Sequence, residues 1–406
     1  RALRWWMGLL CVACFALSHL RASRALSQFL ERRQQLIEEL PLPARCMVSA
    51  AVESSPQLRD GTLSYVVDAS EVDCAGSLAS GPVRVLLHGG PAELRRGDHL
   101  VAYADLAPVS WFDNPDAGDA LPGAARRGEL LSGVVQGLEL TARSGSPLAL
   151  IDAARHFVRA RIDATYSPPA IPLARALVLG ENDLDLSDDR AFKRSGLAHL
   201  LAVSGTHLVL AIVALVRGLK ALLVRCYALA SRYDVERLAA ALGIPLALGY
   251  ADFAGGSGSA WRAAWMLCVL FGARALGRRS QAWLSLAAAS AVALGFDALA
   301  PFDISFTLSA AATSGLVLCS GLLRGRLARL TFAPLRWLAE ALAATASAVA
   351  CCLPFMALLS PSFTVIGLLA NLVAGPIGEL AALPVCLFHT LLSCWPEAEK
   401  GAALVG

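Results

Sequence analysis

The sequence predicts a polytopic α-helical membrane bundle that also carries a small β-barrel domain outside the membrane. Of its 406 residues, 56% are hydrophobic and only 17% are charged, and the mean hydropathy is +0.57. Soluble domains are about one-quarter charged. Apolar runs of roughly 15–22 residues fill the second half, which is the length that crosses about 30 Å of hydrocarbon. We therefore expect about eight spanning or half-spanning helices.

The first 40 residues predict a partial transmembrane helix followed by an amphipathic helix. Residues 5–20 are almost entirely apolar. In residues 21–40 the apolar side chains recur at helical spacing, as at Phe29, Leu36 and Leu40. Because the chain begins with Arg and ends inside an apolar stretch, we expect it to be a fragment of a longer protein.

Residues 41–145 predict the β domain, with an OB-like barrel as the favoured fold. Alternating apolar and polar residues punctuated by Gly and Pro predict about five short strands, at 47–52, 62–67, 83–87, 99–103 and 130–135. The region carries 8 Arg, no Lys and 13 Asp or Glu. Strand-binding proteins present a basic groove with stacking aromatics, so the acidic balance and the few aromatics favour a structural or assembly role; the aromatics are Tyr65, Tyr103, Trp111 and Phe112.

Cys46 and Cys74 are the two cysteines of this polar region. They form one disulfide if the region lies in an oxidising compartment, and are otherwise two free thiols.

An amphipathic helical connector is predicted for residues 146–195, and the transmembrane domain for 196–406. Spanning segments are predicted at 197–216, 238–252, 260–277, 281–300, 305–323, 337–358, 363–379 and 381–395. Lys and Arg cluster at 217–237, 274–280 and 324–336, whereas the loops 253–259, 301–304 and 359–362 carry none. By the positive-inside rule, the basic stretches are cytoplasmic and residues 41–195 lie outside.

Motifs of soluble enzymes are absent from the sequence, and we predict no catalytic activity, metal or cofactor. It has no phosphate loop and no His-Glu-x-x-His, and its seven histidines lack the spacing of zinc ligands. We interpret the Gly- and Ser-rich stretch 256–259 as a flexible loop.

Polar residues inside the apolar segments are the candidate site. His199 and His207 flank Ser204-Gly205, and Gly costs about 1 kcal/mol relative to Ala inside a helix. A helix break at membrane depth is typical of a substrate path. Further candidates along that path are Arg262, Asn371 and Pro376, where Gly375-Pro376 predicts a second broken helix; Asp303 is expected to cap a helix.

Several blocks of the sequence resemble the ComEC-type competence protein family. They are Ala176-Leu-Val-Leu-Gly-Glu181, Phe192-Lys-Arg-Ser-Gly-Leu-Ala-His-Leu-Leu-Ala-Val-Ser-Gly-Thr-His-Leu208, Ser259-Ala-Trp-Arg-Ala-Ala-Trp-Met266, Asp303-Ile-Ser-Phe-Thr-Leu-Ser309 and Ala370-Asn-Leu-Val-Ala-Gly-Pro376. The β region is similar to that family's external domain at 94–98 and at Asn114-Pro115.

The resemblance implies a bacterial inner-membrane channel that imports single-stranded DNA during natural transformation. Its partners would be single-stranded DNA, the lipid bilayer, a DNA receptor and cytoplasmic strand-binding or helicase proteins, with a homo-oligomer also compatible. Many members carry a metallo-β-lactamase-like nuclease domain, and its histidine-rich motif does not occur in this sequence.

Two other functions stay open at this stage. A small-solute or proton-coupled transporter predicts paired carboxylates within the membrane, and the candidates are Asp252, Asp297 and Glu379, near segment ends. An intramembrane enzyme requires a nucleophile and a base, and Ser204 with His207 would share a face of an unbroken helix.

Overall fold

The computed structural model describes residues 2–59, 61–91, 93–110, 121–201, 203–327, 332–359, 366–393 and 395. The chain divides into two units. The sheet unit comprises Arg1–Gln57, Thr62–Leu150 and Ala291–Asp303, and the helical unit comprises Leu58–Gly61, Ile151–Ser290 and Ile304–Gly406. Trp111, Phe112, Asn114 and Pro115 lie outside the described residues.

Five long strands build the sheet unit, and each one pairs with two others. The strands are β1 (Ala44–Val52), β2 (Gln57–Arg59), β3 (Thr62–Cys74), β4 (Ser77–His88), β5 (His99–Pro108) and β6 (Leu131–Ala142). Among the long strands, β1 pairs antiparallel with β3 and β5, β3 with β4 and β5 with β6. β4 and β6 run parallel. Alternate residues are buried along most of β1, β3 and β5, as the alternating sequence predicts.

Residues 2–39 form one helix rather than the two separate helices that the sequence predicts. α1 (Ala2–Glu39) runs through both the apolar run and the amphipathic stretch, because no Gly or Pro separates them after Gly8. Its C-terminal half packs on the sheet core through Phe29, Leu36 and Leu40. Arg21 donates hydrogen bonds to the carbonyl oxygens of Leu294 and Gly295 at 3.2 and 2.8 Å.

Cys46 and Cys74 form a disulfide, which is one of the two alternatives that the sequence leaves open. The two residues face each other in the register of β1 and β3. Both are buried.

Asp303 forms an ion pair, which the sequence-based expectation of a helix cap missed. α2 (Leu121–Arg127) precedes β6, and its Arg126 contacts Asp297 at 2.6 Å and Asp303 at 2.7 Å. A guanidinium presents several donors in a fixed fork, so one arginine holds both carboxylates.

The helical unit contains most of the helices. They are α3 (Pro147–Thr165), α4 (Ile171–Leu179), α5 (Leu186–Arg194), α6 (Ala198–Leu201), α7 (Gly205–Arg225), α8 (Tyr227–Ala230), α9 (Val235–Phe253), α10 (Gly258–Ala275), α11 (Ala282–Phe296), α12 (Ile304–Leu327), α13 (Ala333–Leu359), α14 (Ile366–Gly375) and α15 (Leu383–Leu392), with a 3₁₀ turn at Ala300–Phe302 and a π-helix at Pro376–Ala382. The first residues of α3, the last of α11 and the 3₁₀ turn belong to the sheet unit.

Small residues let α7, α9 and α10 pack closely. Their common core contains Ala247, Ala251, Ala260 and Ala264, with Phe271 at one end. Small side chains at helix contacts are typical of membrane bundles, since they let the backbones approach. In the described residues three helical stretches are long and apolar enough to span a membrane, Gly205–Arg225, Ala333–Leu358 and Leu372–Leu392. Two shorter apolar helices are Ala282–Phe296 and Ile304–Cys319.

Three of the predicted spanning segments have different boundaries in the structure. The segment predicted at 197–216 is instead the short α6 followed by α7, which continues to Arg225. The segments predicted at 363–379 and 381–395 join into one helical run, because α14, the π-helix and α15 follow each other without a turn. Pro376 lacks the N–H that an α-helix uses, and a π-helical turn accommodates that loss.

Candidate functional site

The backbone is not helical between α6 and α7, at Val203 and Ser204. Ser204 has an extended backbone and forms the N-cap of α7. Its hydroxyl accepts a hydrogen bond from the His207 backbone N–H at 3.3 Å, and Nδ1 of His207 accepts from the Ser204 N–H at 3.4 Å. The two residues therefore form a reciprocal capping box, with histidine in the place that Glu or Gln usually takes. The predicted break exists, and it lies at the start of the candidate span instead of inside it.

A carboxylate from a distant part of the chain meets this break. The Thr206 hydroxyl lies 2.6 Å from Ser204 Oγ and donates to Glu379 Oε1 at 2.7 Å. The fully buried His207 places Nε2 4.0 Å from the same carboxylate oxygen. Glu379 belongs to the π-helix and keeps 26% of its side chain exposed. Four polar side chains thus cluster where α7 begins.

Serine hydroxyls of the 257–259 loop hold the carbonyl group that the break leaves free. Ser257 and Ser259 both donate to Val203 O, at 3.3 and 3.1 Å. Ser257 is also the N-cap of α10, accepting from the Ala260 N–H. The Ser259 N–H donates to Ser305 Oγ at 3.2 Å. The interpretation of this stretch as a flexible loop is wrong, since its hydroxyls connect α7, α10 and α12.

Arg262 lies against the start of α7, buried to 5% exposure. A Cβ on Gly205 would lie 3.0 Å from Arg262 Nη2 and 3.3 Å from the Ala263 Cβ. Gly205 is therefore required for close packing, beyond any role in weakening the helix. The guanidinium donates to Ser309 Oγ through Nε at 3.0 Å and Nη2 at 2.6 Å, and Nη1 contacts Met266 Sδ. Arg262 thus lies within the protein.

The helix that contains Asn371 and Pro376 packs beside the same break. Gly196 and Gly367 approach so closely that a Cβ on Gly196 would lie 2.9 Å from the Gly367 Cα. A Cβ on Gly378 would contact the Leu200 side chain at 3.8 Å. The structure therefore brings the two predicted path elements together. The side chains of His199, Asn371 and Pro376 lie outside the described residues.

A buried ion network supports this arrangement from the connector. Arg155 is fully buried and donates to Glu181 Oε1 at 2.9 Å and to the carbonyl oxygens of Leu179, at 3.1 Å, and Phe253. Arg159 binds the same carboxylate, with Nε 2.9 Å from Oε2. Burial lowers the pKa of Arg155, and the charge of Glu181 opposes that effect. Arg155 therefore joins α3 to the end of α4 and the end of α9, and Glu181 holds it in place.

Two glycines allow the backbones after α4 and α9 to touch, beside the ion network and the break. Gly180 ends α4 with φ +69°, and a Cβ there would collide with the Ala254 carbonyl oxygen and contact Val203 Cγ2 at 3.5 Å. Gly255 likewise approaches the Leu179 carbonyl oxygen. Left-handed backbone that touches another backbone requires glycine.

Sequence reasoning missed Ser257, Ser259 and Ser309 as site residues, and it named Glu379 only as a carboxylate near a segment end. A signal was nevertheless present, because three of them lie in or beside the blocks that carry the family resemblance, and separated blocks of one site often meet in space. Chemically, the site combines hydroxyl donors, one imidazole, one carboxylate and one guanidinium. No group of three or more His, Cys, Asp or Glu that could hold a metal occurs in the described part of the chain.

Comparison with known proteins identifies the family. The competence protein family model matches residues 177–405, more than half of the chain. No curated protein and no solved structure gives a significant match. The match covers the break, the serine loop, Arg262 and Glu379, as well as the three candidate spans. This is a membrane protein with a role in DNA uptake, and it belongs to the ComEC-type competence protein family.

Proposed function

We propose that the chain is a multi-pass inner-membrane channel that carries single-stranded DNA into the cytoplasm. The observation that carries this proposal is the convergence of polar groups on the break between α6 and α7. Ser204, Thr206, Glu379 and Arg262 meet there beside the apolar core of α7, α9 and α10. Non-helical backbone at membrane depth is tolerated where protein buries it or where it lines a wet cavity. The proposed path follows the start of α7 and the neighbouring π-helix.

Charge distribution supports an orientation with this break at the outer face. Arg217, Lys220 and Arg225 lie in the second half of α7, and further basic residues follow to Arg237. The later loops at 253–259 and 301–304 carry no Lys or Arg. Short cytoplasmic loops are enriched in both residues. The C-terminal end of α7 would therefore face the cytoplasm, and the sheet unit the outside.

An OB-like barrel is the proposed fold of the sheet unit. The cycle of pairings β1–β3–β4–β6–β5–β1 supports it, with β4 and β6 parallel. Five strands closed in this way form a partly open Greek-key barrel. Its acidic balance favours a structural or assembly role for it on the outer side.

DNA uptake by cells tests the path. The native gene would be replaced by Gly205→Leu or His207→Ala, with Leu222→Ala on the exposed far end of α7 as the matched control. Both site variants should lose most uptake at normal membrane abundance, because the first displaces Arg262 and the second removes the capping box. Wild-type uptake in both site variants would contradict the proposal.

One contact favours a second candidate function, a proton-coupled transporter of small solutes. His207 and Glu379 form an ionisable pair beside the break, and such pairs within a membrane are typical of proton relays. Glu379→Gln separates the two functions. It should abolish transport that depends on a proton gradient, whereas a DNA channel should retain at least part of its uptake.

A further inference from the structure

Arg262 is the buried charge that the fold leaves without a counter-ion. Its side chain contacts one hydroxyl oxygen and one thioether sulfur. Among the described residues, no Asp or Glu forms an ion pair with it. A guanidinium has five N–H donors, and a thioether is only a weak acceptor. Its hydrogen-bonding capacity and its positive charge are therefore both incompletely used.

An unpaired buried charge is costly, because leaving water removes several kcal/mol of solvation that a partner must replace. The same unit pairs its other fully buried arginine, since Arg155 shares Glu181 with Arg159. The chain could also place an apolar residue at 262 without losing an ion pair. The positive charge of Arg262 is thus unexplained by folding, and an anion from outside the chain would explain it.

The surroundings of Arg262 favour an anion of the phosphate class. α7, α10 and α12 contain 21, 18 and 24 residues and begin at Gly205, Gly258 and Ile304. Hydrogen bonds between residues 203 and 259, and between 259 and 305, hold these three N-terminal ends together. The N-terminal end of a helix carries partial positive charge. The Ser305 and Ser309 hydroxyl oxygens accept from the Ser259 N–H and from Arg262, so their own protons add hydrogen-bonding capacity.

We propose that Arg262 binds a phosphodiester group of the strand at the start of α7. This rests on the proposed function and names the part of the strand that the site recognises. A planar guanidinium binds two phosphate oxygens at once, and Gly205 lets the Arg262 guanidinium lie against the start of α7. Glu379, bonded to Thr206, places a negative charge near the same break. The carboxylate keeps the binding weak, as conduction requires, since each group must leave for the next.

Salt dependence of strand binding tests this directly. Purified full-length protein in nanodiscs would be titrated with a fluorescent oligothymidylate between 50 and 200 mM KCl. Each phosphate contact contributes about 0.7 to the slope of log affinity against log salt for single strands. Arg262→Gln should weaken binding and reduce that slope by about 0.7. Arg262→Lys should retain the slope while binding more weakly, since it keeps the charge but loses the fork.

Two controls make the outcome specific. Arg274→Gln changes an exposed arginine at the other end of α10 and should leave affinity and slope unchanged. An oligothymidylate with uncharged methylphosphonate linkages should bind wild type and Arg262→Gln equally. Thermal unfolding checks that Arg262→Gln is folded. We expect that it is, because the substitution removes a buried charge that has no counter-ion.

The proposal is overturned if Arg262→Gln keeps the wild-type slope, or if it weakens binding of the uncharged strand as much as that of the charged one. It is also overturned if the wild-type protein shows no salt-dependent binding. In each case the uptake experiment on Gly205 and His207 still decides the path itself. If Arg262→Gln leaves strand binding unchanged while Gly205→Leu and His207→Ala still lose uptake, the phosphodiester proposal fails and the channel proposal stands.

Discussion

The buried arginines Arg155 and Arg262 lie in the same helical unit, yet they differ in what surrounds their charge. Arg155 is fully buried, with a shared carboxylate and two carbonyl oxygens around it. Arg262 is 5% exposed and contacts a serine hydroxyl and a methionine sulfur. A paired buried charge fixes neighbouring elements, whereas an unpaired one costs stability and points to a role outside folding. Arg155 therefore stabilises the fold around the site, whereas Arg262 is the residue that we expect to contact the strand.

The largest effect is expected from removing the counter-ion of Arg155. Glu181→Gln preserves the shape of the side chain but removes the carboxylate charge that Arg155 and Arg159 share. Breaking a buried pair from one side costs about 3–5 kcal/mol. Unfolding of the detergent-solubilised protein should show that loss. Asp189→Asn, in the exposed pair with Lys193, is the matched carboxylate-to-amide control and should change little; equal effects would show that Glu181 is no special support.

A smaller loss of stability is expected when a side chain is introduced at Gly180, where two backbones touch beside that ion network. Gly180→Ala forces a side chain into left-handed backbone, which costs about 1–2 kcal/mol, and against the Ala254 carbonyl group. Gly205→Ala meets the end of the Arg262 side chain, which can shift, and lies 3.3 Å from the Ala263 Cβ. Thermal midpoints should therefore fall clearly for the first variant and little for the second. The reverse order would contradict a structural role for the contact at Gly180 and a functional role for the contact at Gly205.

The cap of α7 should contribute less. Ser204→Ala removes the hydroxyl that accepts from the His207 N–H, and loss of an N-cap costs about 1 kcal/mol. Ser204→Asp retains an acceptor for the cap and is the rescue variant. If both variants unfold at the same midpoint, the hydroxyl is not needed as a cap.

No loss of stability is expected at the unpaired arginine. Arg262→Met replaces a buried charge by an apolar side chain of similar length, so the unfolding midpoint should stay or rise. DNA uptake should fall in the same variant at normal membrane abundance. A large drop in the midpoint would mean that Arg262 has a structural role like that of Arg155.

Local patterns in the sequence predict much of the fold. Alternation predicts the five long strands, and the lengths of apolar runs predict α9, α10, α12 and α13 to within a few residues. The weak point at Ser204-Gly205 predicts the break. The predicted segment ends at 216, before the end of α7 at Arg225, because Arg217, Lys220 and Arg225 favour a loop. Long basic side chains are nevertheless compatible with the end of a membrane helix, where the charged group reaches water.

Contacts between distant parts of the chain were not predictable in this way. Glu379 meets Thr206 across 173 positions, and Ser259 meets Val203 across 56. Neither residue belongs to a periodic pattern, and Gly and Ser at 256–259 have the composition of a plain loop. Only helix packing brings these hydroxyl and carboxylate groups together. The burial of Arg262 likewise depends on Gly205, whose lack of a side chain admits the guanidinium.

The most direct measurement of the central claim is photo-crosslinking of a strand during import. A photoreactive residue would be placed at Thr206, beside the break, or at Leu222, exposed near the other end of α7. In cells that are importing labelled DNA, illumination should crosslink the strand at position 206 and not at 222. Import without a crosslink at 206, or equal crosslinking at the two positions, would contradict the claim that this break lines the path.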